Sequence, residues 1–138
     1  MSRPRGRFAN VNRAKARRPK SVGMNRTEQA YGRVLASKVE DGSIRRFLFE
    51  AWRLKLASNC YYLPDFLVFG TDDSVQIHEV KGTRGYLLDP VGRVKLKVAA
   101  NLYPELVFFG CVLQLKRDGG GFKVEEIKLP AQFNEEAE

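Results

Sequence analysis

Three residues on two neighbouring strand-like segments could form a metal-binding site. Asp65 lies in the segment 62–69, and Glu79 and Lys81 lie in the segment 75–82. Both segments are short and rich in β-branched and aromatic residues, which is typical of strands. Side chains alternate along a strand, so Glu79 and Lys81 should share one face, and a hairpin should bring Asp65 beside them. Two carboxylates in so small a space are costly to bury without a cation, and Mg²⁺, which prefers oxygen ligands, is the ion we expect.

The elements around this hairpin predict an α/β protein. Asn25 and Glu28 have the spacing of a helix capping box, and Pro104 should end a second helix. The element order is α-β-β-β-α-β-β, a sandwich with a mixed sheet. In chain order we expect a helix from Asn25 to about Asp41, one long two-sided strand over 43–57, a turn at 58–59, the two site strands joined by the loop 70–74, a glycine-containing loop over 82–90, a helix over 91–103, a strand over 106–115 and an edge strand over 122–129.

Length and composition indicate one folded domain. The chain has 138 residues, of which 43% are hydrophobic, and the folded part should span 25–132, followed by a frayed acidic tail at 133–138. We expect no membrane partner, because no apolar run approaches the length of a membrane span and no signal peptide opens the chain. Cys60 and Cys111 lie in strand-like stretches without the spacing of metal ligands, so we interpret them as reduced, buried residues of a cytosolic protein.

Positive charge is concentrated at the N-terminus. Residues 1–26 contain nine Lys or Arg and no acid, whereas the remainder contains 15 basic and 16 acidic residues. We expect residues 1–24 to be a disordered tail whose partner is a polyanion, since basic residues bound to phosphates release counterions. A solubilising tail is the alternative, and no amphipathic apolar stripe favours a membrane. The candidate nucleic-acid-binding residues of this tail are Arg13, Lys15, Arg17, Arg18 and Lys20.

The combination of Pro64-Asp65 with Glu79-Val80-Lys81, after a helix that carries Glu28, resembles the PD-(D/E)XK nuclease superfamily. Residues 24–115 also resemble a family of phage and prophage proteins, which is similar to the junction-resolving endonuclease I family of phages. The resemblance implies a restriction-endonuclease-like αβββαβ sandwich with a mixed central sheet. The stretches that carry it are 25–28, 54–57, 62–66, 79–82 and 94–100.

The resemblance also assigns roles to the site residues. It implies that Asp65, Glu79 and the Val80 carbonyl bind Mg²⁺, with Mn²⁺ as a substitute, and that Lys81 orients the attacking water and offsets charge in the transition state. Taken singly, each acid could be a surface residue or part of a cross-strand pair; the three together favour the site. For Glu28 two interpretations stay open, namely the capping box alone or a ligand of a second metal, as the resemblance suggests.

Basic residues beyond Lys81 are candidates for contact with DNA. Arg84, in the loop after Lys81, could clamp a phosphate through its bidentate guanidinium. Arg93, Lys95 and Lys97 follow that loop, and Lys95 and Lys97 cannot share one helical face. One could reach the reacting phosphate while the other meets the flanking backbone, or all three could belong to a solvated face. His78 should point away from Glu79 and serve the structure, and Trp52 and Tyr62 should belong to the core.

These observations predict a Mg²⁺-dependent DNA endonuclease, and the resemblance places it in the bacterial cytoplasm, encoded by a phage or prophage. Branched or Holliday-junction DNA is the first substrate expected by analogy, and two-fold symmetric cuts would be served most simply by a homodimer. The alternatives are general nicking, packaging-linked cleavage, host-DNA degradation, or a non-catalytic nucleic-acid-binding protein whose acids are structural.

Overall fold

The computed structural model describes residues 23–128. The predicted basic tail, apart from Gly23 and Met24, and the predicted acidic tail therefore lie outside the described residues. Within 23–128, two helices pack on opposite faces of a five-stranded mixed sheet, and a two-stranded hairpin packs against one of these helices. The predicted α/β class and mixed sheet are confirmed.

The first helix, α1 (Arg26–Glu40), is fixed at its start by the predicted capping box. The Glu28 backbone N–H donates to the Asn25 side chain at 2.8 Å, and the Asn25 N–H donates to the Glu28 carboxylate at 2.9 Å. Because these two bonds satisfy donors that the helix itself leaves free, the local sequence determines where the helix begins. Tyr31 and Leu35 are fully buried against the sheet.

The main sheet joins elements distant in sequence, with strand order β1-β4-β5-β6-β7. Its β5–β6 pair is parallel, and its other pairs are antiparallel. The hairpin of β2 and β3 forms a separate antiparallel sheet. The strands are β1 (Ile44–Phe49), β2 (Leu54–Ala57), β3 (Cys60–Tyr62), β4 (Phe66–Gly70), β5 (Val75–Lys81), β6 (Val107–Leu113) and β7 (Phe122–Glu126).

The prediction of one long strand over 43–57 is wrong. β1 ends at Phe49, the chain leaves the main sheet, and β2 begins at Leu54 in the hairpin. Glu50 has φ 47°, in the left-handed region that breaks a strand, and its N–H donates to the Asp65 carbonyl at 2.8 Å. The prediction that Trp52 is a core residue is also wrong, because its side chain is 40% exposed.

The second helix, α2 (Pro90–Leu102), covers the face of the sheet on which Glu79 lies. It buries Leu96, Ala99 and Ala100. Val94, Val98 and Leu102, which recur every four residues along α2, remain largely exposed, with Val94 at 59%. A 3₁₀ turn at Gly85–Leu88 leads into α2, and a second one at Lys116–Asp118 precedes β7, which is the predicted edge strand. Neither helix of residues 23–128 has the length and the apolar run that crossing a bilayer demands.

Candidate functional site

Asp65 and Glu79 meet at the ends of two paired strands. The antiparallel register that pairs Phe66 with His78 places Asp65, one residue before β4, beside Glu79 in β5. Asp65 Oδ2 accepts a hydrogen bond from the Val80 N–H at 2.7 Å. The short loop between β4 and β5 fixes this register, so the predicted convergence of the two carboxylates is confirmed.

The protein environment penalises the charged form of both carboxylates. Burial, and then the negative charge of Glu79, raises the pKa of Asp65 to about 9, against the opposing hydrogen bond from Val80. Burial likewise raises the pKa of Glu79, although Lys81 and Tyr62 partly offset it. Glu79 is only 6% exposed. The charge of the nearby Lys81 does not by itself compensate the negative charge of two ionised carboxylates, and a divalent cation would do so.

Each oxygen of Glu79 has a partner within the protein. The Tyr62 hydroxyl donates to Oε2, and Lys81 Nζ lies 3.2 Å from Oε1. Tyr62 is buried, as predicted, but its hydrogen bond with Glu79 was not predicted. The Tyr62 hydroxyl therefore fixes the orientation of the Glu79 carboxylate. Lys81 is close enough to form an ion pair with Glu79, as its position two residues further along the strand predicts.

Asp89 is a site residue that the sequence analysis missed. Its Oδ2 lies 2.6 Å from Lys81 Nζ, and its Oδ1 accepts the Gly92 N–H at 2.8 Å as the N-cap of α2. A Cβ at position 92 would stand 2.1 Å from Asp89 Oδ2, so glycine there leaves room for the carboxylate. The Asp-Pro pair at a helix start is a recognisable N-cap signal, but nothing in it indicates the lysine partner.

The charges of Lys81 and Asp89 stabilise each other. Burial by itself lowers the pKa of Lys81, but the carboxylates of Glu79 and Asp89 together outweigh burial, so the pKa is raised. The hydrogen bond from Lys81 lowers the pKa of Asp89. Lys81 is therefore a cation clamped between two acids, one on its own strand and one at the start of α2.

Glu28 stands at the edge of the site in its capping role. Its carboxylate bonds to the Asn25 N–H, and its negative charge adds to the rise in the pKa of Asp65. The capping box is therefore confirmed, and both interpretations of Glu28, the capping box alone or a ligand of a second metal, stay open. Among residues 23–128, no three His, Cys, Asp or Glu side chains gather closely enough to hold a metal ion. A metal ion bound by Asp65, Glu79 and the Val80 carbonyl stays a prediction.

The predicted basic residues separate into those beside the carboxylates and those on the outside of α2. Lys95 Nζ donates to the Tyr61 carbonyl at 2.8 Å, whereas Arg93 and Lys97 are exposed. Lys95 and Lys97 diverge, as their spacing predicts. Arg84 is exposed in the loop after Lys81. The basic residues predicted in the tail, Arg13, Lys15, Arg17, Arg18 and Lys20, lie outside the described residues.

Two grooves open at the candidate site. The first, of about 730 Å³, runs between the start of α1 and the loop after β5 and is lined by Asn25, Thr27, Val80, Lys81, Gly82, Thr83, Arg84, Gly85 and Asp89. The second, of about 680 Å³, runs between the β2–β3 hairpin and the start of α2 and is lined by Glu50, Arg53, Tyr61, Tyr62, Leu63, Glu79, Asp89, Val91, Gly92 and Lys95. We call them the Arg84 groove and the Tyr61 groove. Asp89 borders both.

His78 lies on the opposite face of β5, as predicted. Its Nδ1 is 2.5 Å from the Tyr31 hydroxyl, and Cys111 Sγ is 3.2 Å from the same hydroxyl. Burial lowers the pKa of His78 to about 4, so the ring is neutral near pH 7. Both Cys60 and Cys111 are free thiols, as predicted, although Cys60 is only partly buried. This cluster supports the α1 side of the core.

Comparisons with protein-family models, with curated proteins and with solved structures gave no match.

Proposed function

We propose that this protein is a metal-dependent endonuclease that hydrolyses phosphodiester bonds in DNA. The observation that carries the proposal is the meeting of Asp65 and Glu79 at the ends of paired strands, with Lys81 3.2 Å from Glu79. The helix, antiparallel strands, second helix and parallel β5–β6 pair are also the arrangement expected of a restriction-endonuclease-like sandwich. This supports the resemblance to PD-(D/E)XK nucleases.

The donor set suits a hard divalent cation. Asp65, Glu79 and the Val80 carbonyl would hold Mg²⁺, or Mn²⁺ in its place, through oxygen atoms alone. When bound, the ion would lower the pKa of a water molecule and polarise the phosphate. Its charge would also remove the penalty that burial places on the ionised carboxylates.

The chain's own residues would divide the remaining work. Tyr62 fixes the orientation of the Glu79 carboxylate through its hydroxyl. Lys81, held by Asp89, is placed to orient the attacking water and to stabilise the extra negative charge of the pentavalent phosphorus. Because Lys81 is positioned by groups on β5 and α2, it loses little freedom when the substrate binds.

Charge beside the carboxylates favours nucleic acid as the substrate. The Arg84 groove combines Lys81 and Arg84 with Asn25 and Thr27 at the start of α1, where the helix dipole favours anions. The basic N-terminal sequence adds charge that attracts polyanions. Branched DNA cut by a homodimer is the substrate and assembly that we propose first, by analogy with junction-resolving nucleases.

One observation favours a second candidate, a non-catalytic DNA-binding protein. Both Glu79 oxygens already have protein partners, Tyr62 and Lys81, so the cluster is also compatible with a purely structural network. The two candidates differ in chemistry. Only the nuclease requires a divalent cation and yields DNA ends.

A cleavage assay separates the two candidates. The full chain is incubated with four-way junction, flap, nicked and linear duplex DNA, in Mg²⁺ or in chelator. Cleavage should require Mg²⁺ and should disappear in Asp65→Asn and Lys81→Met, whereas DNA binding persists. Asp72→Asn, an exposed acid of the same β4–β5 hairpin, is the matched control and should cleave normally. DNA binding that needs no metal and yields no product would favour the binding protein, whereas full cleavage by Asp65→Asn would overturn the role proposed for Asp65.

A further inference from the structure

The Tyr61 groove differs in chemistry from the Arg84 groove, although Asp89 lines both. Its lining includes two tyrosines and the exposed apolar side chains of Leu63 and Val91, which are 40% and 63% exposed. The Arg84 groove is lined by polar, charged and small residues apart from Val80. One groove thus suits a phosphate backbone, and the other suits flat apolar groups.

Arg53 and Tyr61 form a stacked pair in the Tyr61 groove. The Arg53 guanidinium carbon lies 4.1 Å from the centre of the Tyr61 ring. Tyr61 lies in the β2–β3 hairpin, and Arg53 directly precedes it. Lys95 of α2 donates to the Tyr61 carbonyl at 2.8 Å. Tyr103, the residue after α2, donates through its hydroxyl to the Lys55 carbonyl at 2.7 Å, so the hairpin is held against the end of α2 as well. The pair is therefore a fixed platform.

We infer that the Tyr61 groove binds an unpaired DNA nucleotide adjacent to the phosphodiester bond that is cut. Aromatic rings and arginine guanidinium groups bind single strands by stacking on bases, and cations beside them contact the phosphates. In a duplex the faces of the bases are covered by their neighbours, so a tyrosine platform gains little from paired DNA. Arg53 and Lys95 offset part of the negative charge that Glu50, Glu79 and Asp89 place in the same groove, so this groove binds the nucleotide chiefly by stacking on its base.

The position of the groove links this nucleotide to the reaction. Glu79 lines the Tyr61 groove, Lys81 lines the Arg84 groove, and Asp89 borders both. A strand that passes from one groove into the other therefore runs past Asp89, Lys81 and Glu79. The inference rests on the proposed function and makes its substrate class more specific: DNA with unpaired nucleotides at the cut, as at a flap or a branch point.

Binding measured without cleavage tests the groove. The full-length protein in chelator is titrated against fluorescent blunt duplex and against the same duplex bearing a single-stranded flap. We expect Tyr61→Ala to weaken binding of the flap DNA by roughly ten-fold and that of the blunt duplex by less than about two-fold. Tyr61→Phe, which keeps the ring, should bind both DNAs as the wild type does.

Arg53→Ala has a matched control within the chain. Arg46 lies 4.6 Å from the Phe69 ring, a pair of the same type on the main sheet. Arg53→Ala should reduce the preference for the flap DNA, and Arg46→Ala should leave it unchanged. Where Tyr61→Ala lowers the melting temperature too far for titration, Tyr61→Leu, which keeps apolar bulk without a ring, decides instead.

Equal losses on both DNAs, or no loss on either, would overturn the inference. Its failure is distinguishable from failure of the proposed function, because Mg²⁺-dependent cleavage by the wild type is scored separately. If the wild type cleaves DNA but Tyr61→Ala does not selectively weaken binding of the flap DNA, the protein is a nuclease that needs no unpaired nucleotide. If Tyr61→Ala selectively weakens binding of the flap DNA but the wild type does not cleave, the groove binds unpaired nucleotides and the proposed nuclease function is wrong.

Discussion

Replacing Asp65 by Asn should stabilise the protein at neutral pH and should abolish any nuclease activity. Asn keeps an oxygen that can accept the Val80 N–H, as Asp65 Oδ2 does at 2.7 Å, and its amide can donate to the Glu79 carboxylate. The substitution therefore preserves the hydrogen bond with Val80 and removes only the ionisable group, which in the folded protein must either bind a proton or carry a buried charge. Stability and activity should move in opposite directions, which is the behaviour expected of a residue kept for function.

The sign and size follow from the pKa of Asp65. Its value is raised to about 9 in the folded protein, by burial first and by Glu79 second, whereas an unfolded Asp titrates near 3.9. Between these values the folded chain binds the proton that the unfolded chain has released, so stability falls as pH rises. One proton changes the free energy of unfolding by about 1.4 kcal/mol per pH unit, which makes about 3 kcal/mol between about pH 5 and about pH 7 an upper bound. Glu79 acts with the same sign, and Lys81 stays charged in both states.

Chemical denaturation in chelator, from about pH 5 to about pH 8, measures this effect. The wild type should lose stability across the range, and Asp65→Asn should show a flatter dependence and a higher free energy of unfolding at the upper end. Asp72→Asn is the control: its carboxylate is exposed, and hydrogen bonds from Ser74 lower its pKa, so its loss should not flatten the slope. A wild type whose stability is constant or rises over this range, or an Asn variant that is less stable near pH 8, would refute the reasoning.

Adding Mg²⁺ extends the test to the metal. An ion that binds only the folded state adds about 2.7 kcal/mol at a hundred times its dissociation constant. This gain should grow with pH in the wild type, because the ion binds the ionised carboxylates, and should shrink in Asp65→Asn. Equal stabilisation of both proteins would place the ion elsewhere.

Three further predictions address Glu28, the N-terminal segment and Asp89. Glu28→Gln should leave the melting temperature nearly unchanged, because Gln can replace Glu in a capping box, and should lower the cleavage rate at limiting Mg²⁺ by orders of magnitude if a second metal is held; a wild-type rate would confine Glu28 to capping. Deleting residues 1–24 should weaken DNA binding and flatten the plot of log affinity against log salt concentration, and an unchanged slope would exclude the segment from binding. Asp89→Asn, which can still cap α2, should shift the alkaline limb of the cleavage–pH profile to lower pH, because Asp89 raises the pKa of Lys81. A profile identical to that of the wild type would show that Asp89 only caps the helix.

The parts of the site that could be predicted are those fixed by local sequence. Glu79 and Lys81 lie two residues apart on one strand, so the alternation of the strand places them together. The short loop between β4 and β5 sets the register that adds Asp65. The start of α1 follows from Asn25 and Glu28, three residues apart. In each case residues that are close along the chain are brought into contact by the local geometry of one strand, one hairpin or one helix start.

The wrong or missed predictions concern features that depend on contacts between residues distant in sequence. Alternation of apolar residues continues across Glu50, so the segment reads as one strand, and a non-glycine residue with φ 47° leaves no mark in the sequence. The bond from its N–H to the Asp65 carbonyl stabilises the break, and that bond depends on a residue 15 positions away. Tyr62 and Asp89 were missed as partners of Glu79 and Lys81 for the same reason, since the segments that carry them meet only in the folded chain.

Burial of polar groups alone would not have located the site, since β5 carries a buried polar cluster on each of its faces. On the α1 face, burial lowers the pKa of His78 to about 4 and raises that of Cys111 to about 12, so these groups, and Tyr31 between them, are neutral and mutually hydrogen-bonded at pH 7. On the other face, Asp65 and Glu79 carry more potential negative charge than Lys81 can balance, and Glu79 borders an open groove. The first cluster is complete within the protein, whereas the second gains from a divalent cation and a phosphate. Imbalance of charge, together with access from solvent, is therefore the feature that distinguishes the candidate site from the core.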